Sequence, residues 1–275
     1  MNQIKQKYQQ SIINEVAAAG FDSSADLYDR VRPEYPQRPI DYLLEVLNAN
    51  SNANILELGA GTGKFTKILM ASNLNVTAVE PVAGMREKLK SILPPDSFPR
   101  LKVLQGSAES IPVVDKSIDL VIVAQAFHWF DGPLALSEIH RVLRSGGRFG
   151  LIWNIRDESV NWISELTKIL QPYESGVPRY QSMNWKKAFY KTGLFSELKY
   201  RKFDHNQVST LMEFIDRIES TSFISALSES KKLAVLNLVR EYLESLPEIR
   251  RGEDNSDSIV VPYLTEVYWT KKLNE

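Results

Sequence analysis

Ile55-Leu56-Glu57-Leu58-Gly59-Ala60-Gly61-Thr62-Gly63 decides how this chain is read: an apolar strand runs into three alternate glycines, and Glu80 follows seventeen residues after the last of them. Glycine lets backbone approach a ligand where a Cβ would clash. An acid at the end of the next strand can accept both hydroxyls of a ribose. Together these features indicate a nucleotide-cofactor site, and the spacing narrows the kind. A phosphate loop needs G-x-x-x-x-G-K-[ST], but its first glycine position holds Leu58 and Phe65 stands where a magnesium-binding hydroxyl is required. A dinucleotide fingerprint needs G-x-G-x-x-G, but its third glycine falls on Lys64 counted from Gly59 and on Thr66 counted from Gly61. What remains is E-x-G-x-G-x-G.

The composition around this motif is that of a folded, ordinary-surfaced protein. With 275 residues, 43% of them hydrophobic, the chain can form one large domain or one domain with a sizeable insertion. Its 33 basic and 34 acidic residues leave no electrostatic footprint for a phosphate backbone, so no nucleic acid is expected as a partner. Without cysteine there is no disulfide, no thiolate nucleophile and no zinc–thiolate site; the three scattered histidines form no ligand cluster, and no metal is expected. Met1 to Gly20 lacks the apolar core of a signal peptide, and the longest apolar run, Leu120 to Phe130, is interrupted by Gln125 and His128. No membrane segment is expected, and a cytoplasmic location is the default.

From Arg38 to Trp153 helix-like and strand-like periods alternate, the pattern of a parallel sheet with crossover helices. Strands are expected at Asn54 to Leu58, Asn75 to Glu80, Leu101 to Gln105, Ile118 to Ala124 and Arg148 to Trp153. Helices are expected at Ile40 to Leu47, Lys64 to Ser72, Gly84 to Ile92 and Leu134 to Leu143, the last stopped by Ser145-Gly146-Gly147. Beyond Trp153, helical periods cover Trp162 to Gln171, Trp185 to Thr192 and two stretches within Ser209 to Leu246, stopped by Pro247. Strands at Phe195 to Phe203 and Ile259 to Thr270 are expected to pair as an antiparallel edge hairpin.

The E-x-G-x-G-x-G motif, with seven strands in this order, resembles the class I S-adenosylmethionine-dependent methyltransferases of the type 11 family, whose loop wraps the methionine and ribose portion of a cofactor that carries no phosphate. The fold this implies is α/β, a doubly wound, seven-stranded, mostly parallel Rossmann-like sheet with an antiparallel C-terminal edge hairpin and helical insertions at about 156–192 and 206–255. Residues 1–37 would form an N-terminal helix and lid segment, and 38–275 the methyltransferase domain.

Ligands in such sheets bind past the carboxyl ends of the strands. After the first strand, Gly59, Gly61 and Gly63 form the turn, and Glu57 can meet the cofactor's ammonium directly or through water. After the second, Glu80 takes the ribose hydroxyls, Pro81 follows it into the site, and Met85 either lays its sulfur against adenine or is plain core. After the third, Gly106-Ser107-Ala108-Glu109 offers polar side chains and backbone amides to the adenine edge, as the matching positions do in the family. After the fourth comes Gln125-Ala126-Phe127-His128-Trp129-Phe130. By the resemblance, Gln125 and Ala126 supply carbonyls to the methionine end, while His128 and Trp129, the candidate catalytic residues, sit near the transferred methyl. Aromatic faces there would also attract a cationic sulfonium.

The segment Phe21 to Pro36, F-D-x-x-A-x-x-Y…R-P-x-Y-P, reads as a lid. With A-x-H-W-F after the fourth strand and Pro262 to Trp269 near the end, it is similar to the branch that includes the trans-aconitate methyltransferases. That similarity makes Tyr28 a candidate to cap the cofactor carboxylate and Arg32 one to order the lid.

The reaction implied is in-line methyl transfer to a carboxylate, hydroxyl or amine of a small-molecule acceptor, a chemistry that asks mainly for alignment. A carboxylate is already nucleophilic, so its site should offer cations such as Arg156 or Arg179; an amine or phenol would make His128 the natural general base. Arg156, Arg179 and Arg217 fall in the divergent helical segments and read as ordinary surface arginines. A non-catalytic S-adenosylmethionine-binding protein or partner subunit is the alternative, with an NAD(P)-dependent oxidoreductase behind it because of the failed glycine spacing. A monomer or a homodimer is equally compatible with this reading.

Overall fold

The computed structural model describes residues 33–72, 74–174, 178–252 and 257–273. Tyr28, Arg32 and most of the expected lid lie outside the described residues. The four strands β1 (Asn54–Leu58), β2 (Asn75–Glu80), β3 (Leu101–Gln105) and β4 (Ile118–Ala124) have the bounds expected from their apolar runs. With β5 (Leu143–Arg156), β6 (Lys199–Thr210) and β7 (Ser258–Lys271) they form one seven-stranded sheet in the order β3-β2-β1-β4-β5-β7-β6. Pairing is parallel from β3 to β5; β7 then runs antiparallel between β5 and β6. This is the doubly wound, mostly parallel sheet with an antiparallel C-terminal hairpin that the pattern implies.

Alternation along each strand divides the core into two layers. Ile55, Leu120, Ile122 and Ile152 face one side, where they pack with Leu43 of α1 (Gln37–Val46), Phe65 and Leu69 of α2 (Lys64–Ala71) and Leu89 of α3 (Ala83–Ile92). Leu56, Leu58, Val121, Val123, Phe149 and Trp153 face the other, against Leu136 and Ile139 of α4 (Gly132–Val142) and Ala188 of α6 (Lys186–Thr192). A third cluster belongs to the inserted helices. Trp162 and Leu166 of α5 (Asn161–Leu170), Phe214 and Ile218 of α7 (Leu211–Glu219), Ile224 of α8 (Ser222–Ser225) and Val239 of α9 (Glu229–Glu244) pack on Tyr263 of β7. The insertion thus stands over the carboxyl end of β5.

Three expectations need correction. The glycine pair after α4 does not cap it: α4 ends at Val142 and the chain enters β5 directly. The residues around Gly146 and Gly147 form a bulge where the pairing jumps from Ile118↔Leu143 to Leu120↔Arg148. Gly146 has φ +76° there. The sixth strand is displaced from Phe195–Phe203 to Lys199–Thr210, and Phe195 keeps only an isolated bridge to Lys272. Its apolar signal was weak because an edge strand buries little; the ladder to β7, from Lys199↔Trp269 to Thr210↔Ser258, holds its polar half instead. Consequently the inserted helices begin at Leu211, not near 206, behind a capping box in which the Thr210 hydroxyl accepts from Glu213 N and the Glu213 carboxylate accepts from Thr210 N, a device worth about 1 kcal/mol. Finally, the helical stretch has three helices where two were expected. Among the described residues no helix is long and apolar enough to cross a membrane.

Candidate functional site

The turn from β1 into α2 is held in a conformation that only glycine takes readily: φ is +69° at Gly59, +57° at Gly61 and +89° at Gly63. Two of the three also lack room for a side chain. A Cβ on Gly59 would come within 2.7 Å of the Ala126 Cβ, and one on Gly63 within 2.8 Å of the Leu89 Cγ. Gly61 is different, for among the described residues nothing lies within 4 Å of its would-be Cβ. The middle of the turn therefore faces open space, as a cradle for a ligand must. That space is a cleft of about 480 Å³, open in part to solvent, walled by Pro33, Tyr35, Glu57, Gly61, Phe65 and Gln125 among others.

Both acids sit at this turn. Glu80 is 5% exposed, and its two oxygens accept from Gly61 N and Val82 N, each at 2.9 Å. Burial pushes its pKa up, while the Val82 and Gly61 amides and the nearby Arg86 pull it down. A carboxylate has about four lone-pair sites, so two amides leave acceptor capacity for a diol. Arg86 is a residue sequence reasoning missed. Its Nη1 donates to the carbonyls of Glu80 at 2.9 Å and Pro81 at 2.6 Å, fixing the chain as it leaves β2. Glu57 is 1% exposed and accepts from Thr66 Oγ1 at 2.7 Å. Burial, offset in part by Thr66 and reinforced by Glu80, pushes its pKa up to about 8. A buried acid held near neutrality ionises readily when a cation such as an ammonium arrives.

The remaining expected cofactor residues divide. Met85 and Ala108 are buried, at 3% exposure each, and Ala108 belongs to the core layer under α4. Ser107 bridges to Ser110, and Glu109 accepts from Asp131 N at 2.9 Å, tying the loop after β3 to the N-cap of α4. Burial raises the Glu109 pKa despite that amide. Past β4, Gln125 adopts φ +60°, a left-handed conformation that costs a non-glycine residue about 1 kcal/mol or more. Its Nε2 donates to the Asn154 carbonyl at 2.9 Å. The Ala126 carbonyl accepts from Trp129 N at 2.9 Å and so closes the short 3-10 turn Phe127–Trp129.

A family model described as a methyltransferase domain matches residues 56–151. An uncharacterized methyltransferase-like protein of Schizosaccharomyces pombe is 37% identical over 253 residues, covering 92% of this chain and 95% of its own. The chain belongs to the class I S-adenosylmethionine-dependent methyltransferases. An uncharacterized methyltransferase of Mycobacterium tuberculosis is 35% identical over 245 residues, 89% of this chain and 92% of its own. Among solved structures, Haemonchus contortus phosphoethanolamine N-methyltransferase 2 in complex with S-adenosyl-L-methionine shares the fold at a TM-score of 0.55, with 14% identity over 92% of this chain and 57% of that one. The cofactor of this methyltransferase is S-adenosylmethionine.

A second cleft, of about 810 Å³ and also part open, meets the first at Gln125, which lines both. His128, Trp129, Trp153 and Tyr180 line it on the sheet side, and Arg156, Arg179, Arg217 and Phe223 line it toward the insertion. The three arginines that read as ordinary surface residues are brought together here from the end of β5, the loop before the 3-10 turn Tyr180–Ser182, and α7. Arg179 lies 4.7 Å over the Phe223 ring with Glu174 3.0 Å from its Nη1; Arg217, 9% exposed, lies 4.8 Å over the Tyr263 ring. Such stacking fixes the plane of a guanidinium. Trp153 Nε1 donates to His128 Nδ1 at 3.4 Å. Since indole only donates, that nitrogen must be unprotonated, which leaves the proton of a neutral His128 on Nε2.

Proposed function

We propose that this methyltransferase acts on a small molecule bearing a carboxylate, held in the arginine-lined cleft, and that a carboxylate oxygen receives the methyl group. The observation that carries the reading is the convergence of Arg156, Arg179 and Arg217 on one cleft that shares Gln125 with the glycine-turn cleft, one of them, Arg179, steadied by Glu174. Planar guanidinium groups match carboxylate oxygens in pairs. When bound, S-adenosylmethionine supplies a methyl carbon on a cationic sulfonium, already activated, the carbon–sulfur pair returning to sulfur as an acceptor lone pair forms the new bond. A carboxylate has no proton to lose in that exchange, so no base is required. His128 fits a donor's part: with Nδ1 engaged by Trp153, its Nε2–H can hydrogen-bond an acceptor oxygen and orient it. On this reading Glu57 meets the ammonium, Glu80 the ribose, Ser107 to Glu109 the adenine side and Tyr28 the cofactor carboxylate.

Incubation with methyl-labelled cofactor and a panel of small carboxylates, amines and phenols tests the proposal. Label should appear in base-labile methyl esters, and His128→Ala should lower the rate about tenfold, the weight of one hydrogen bond, while leaving cofactor affinity nearly intact. Labelled amines or phenols with silent carboxylates would overturn it.

A further inference from the structure

Asn154 carries no charge and does not titrate near neutral pH, yet three segments of the chain meet on it. It is 4% exposed near the end of β5. Its Nδ2 donates to the Glu34 carbonyl at 3.1 Å, its Oδ1 accepts from Thr265 Oγ1 at 2.6 Å, and its main-chain carbonyl accepts from Gln125 Nε2 at 2.9 Å. Thr265 is its ladder partner on β7, so that bond stays within the sheet. The other two leave it. Glu34 lies between Pro33 and Tyr35, both of which line the same cleft as the glycine turn. Residues 33–36 belong to no helix or strand, so ladder hydrogen bonds do not hold this wall; the Asn154 amide and the edge-on packing of Tyr35 against Phe65 at 5.1 Å do so in part. Gln125, at the other end, lines both clefts.

We infer that Asn154 is a positioning residue for cofactor binding: it pins the 33–35 wall of the cleft that the glycine turn also lines and, through its carbonyl, sets the Gln125 side chain at the junction of the two clefts. The inference rests on the glycine-turn cleft being where S-adenosylmethionine binds. Asn154→Asp keeps the shape of the side chain and the acceptor for Thr265, but removes the donor to Glu34 and sets a negative charge against that carbonyl. Thr265→Val removes the sheet-side bond and leaves the wall bond in place.

Titration of S-adenosylhomocysteine into the wild type and both variants, with the Tm of each ligand-free protein, separates positioning from mere satisfaction of a buried amide. Asn154→Asp should raise Kd about tenfold, whereas Thr265→Val should lower Tm and leave Kd within about twofold. Combined with Tyr35→Ala, which loosens the same wall, Asn154→Asp should add less than its separate effect. Wild-type affinity in Asn154→Asp, or affinity lost by both variants in proportion to their Tm, would overturn the inference. Should Asn154→Asp fail to fold, Asn154→Ser, too short to bridge to Glu34, takes its place with the same expected outcome. A wild type that does not bind S-adenosylhomocysteine would instead sink the assignment of the cleft.

Discussion

The two clefts, one proposed for the cofactor and one for the acceptor, share Gln125 but are built by different means. The first is built around backbone: glycines at positive φ and main-chain amides on Glu80, with side chains such as Tyr35, Glu57 and Gln125 closing the walls. The second is made of long side chains, brought from β5, a loop and α7 across sixty residues and fixed by stacking on rings. The difference teaches where specificity can change. A backbone cradle tolerates almost no substitution, whereas a cleft of long side chains on an inserted unit can exchange its charges without disturbing the sheet.

The comparison breaks most sharply at Gly59. Gly59→Ala combines a left-handed backbone with a Cβ driven to 2.7 Å from Ala126, and strain plus overpacking of about 3 kcal/mol should weaken S-adenosylhomocysteine binding roughly a hundredfold. Calorimetric titration that found wild-type affinity would mean the turn is not the rigid cradle described. On the other side, Arg179→Gln should raise the acceptor KM ten- to a hundredfold, about what a charge-assisted pair is worth, with cofactor affinity unchanged. If cofactor affinity fell in step, the two clefts would be one site energetically and the distinction would fail.

The smallest effect sharpens the cofactor side. Glu57, with a pKa near 8 in the ligand-free protein, is mostly protonated at neutral pH and must lose that proton to pair with an ammonium. Affinity should therefore climb as pH rises toward 8, by at most about tenfold per pH unit, and level off above it. Glu57→Gln should flatten that part of the profile; an identical slope in both proteins would assign the dependence to the ligand's own amine. The same raised pKa has a folding consequence. Its stabilising contribution is full below about 4.5, the ordinary glutamate value, and is lost as pH rises through 8, so the ligand-free variant should gain Tm on the wild type over that interval.

How much of this was legible in the sequence follows from the same contrast. The strands β1, β2 and β4 were readable to the residue because they are largely buried and bounded by turn residues, β3 because its short apolar run is flanked by Pro99 and Gly106 although it lies at the sheet edge, and the glycine turn was readable because φ > 0 and close approach both demand glycine at fixed spacing. The place of Glu80, an acid at the end of β2, was legible, but not its two amide partners or Arg86, whose contacts depend on how β2 leaves the sheet. β6 was misplaced because an edge strand held by its ladder carries little apolar period. The arginine cleft was illegible: nothing local marks Arg156, Arg179 and Arg217 as neighbours until the insertion folds back over β5. Asn154 left no signal at all, since a lone asparagine near the end of an apolar strand looks like a breaker.

The bulge at Gly146 and Gly147 gives that asparagine its address. Residues 150 and 152 on β5 look toward α1, and 149, 151 and 153 toward α4. Parity alone puts Asn154 on the side of Glu34 and buries Trp153 on the other. The bulge sets the count, since pairing with β4 shifts there before the strand runs on unbroken to Arg156. Losing one residue from it would exchange the faces, putting indole where the amide now joins wall to sheet and an asparagine into the aromatic core. Two glycines on the opposite rim of the sheet thus act as a vernier for the site, metering which side chains reach it from a distance of half a strand.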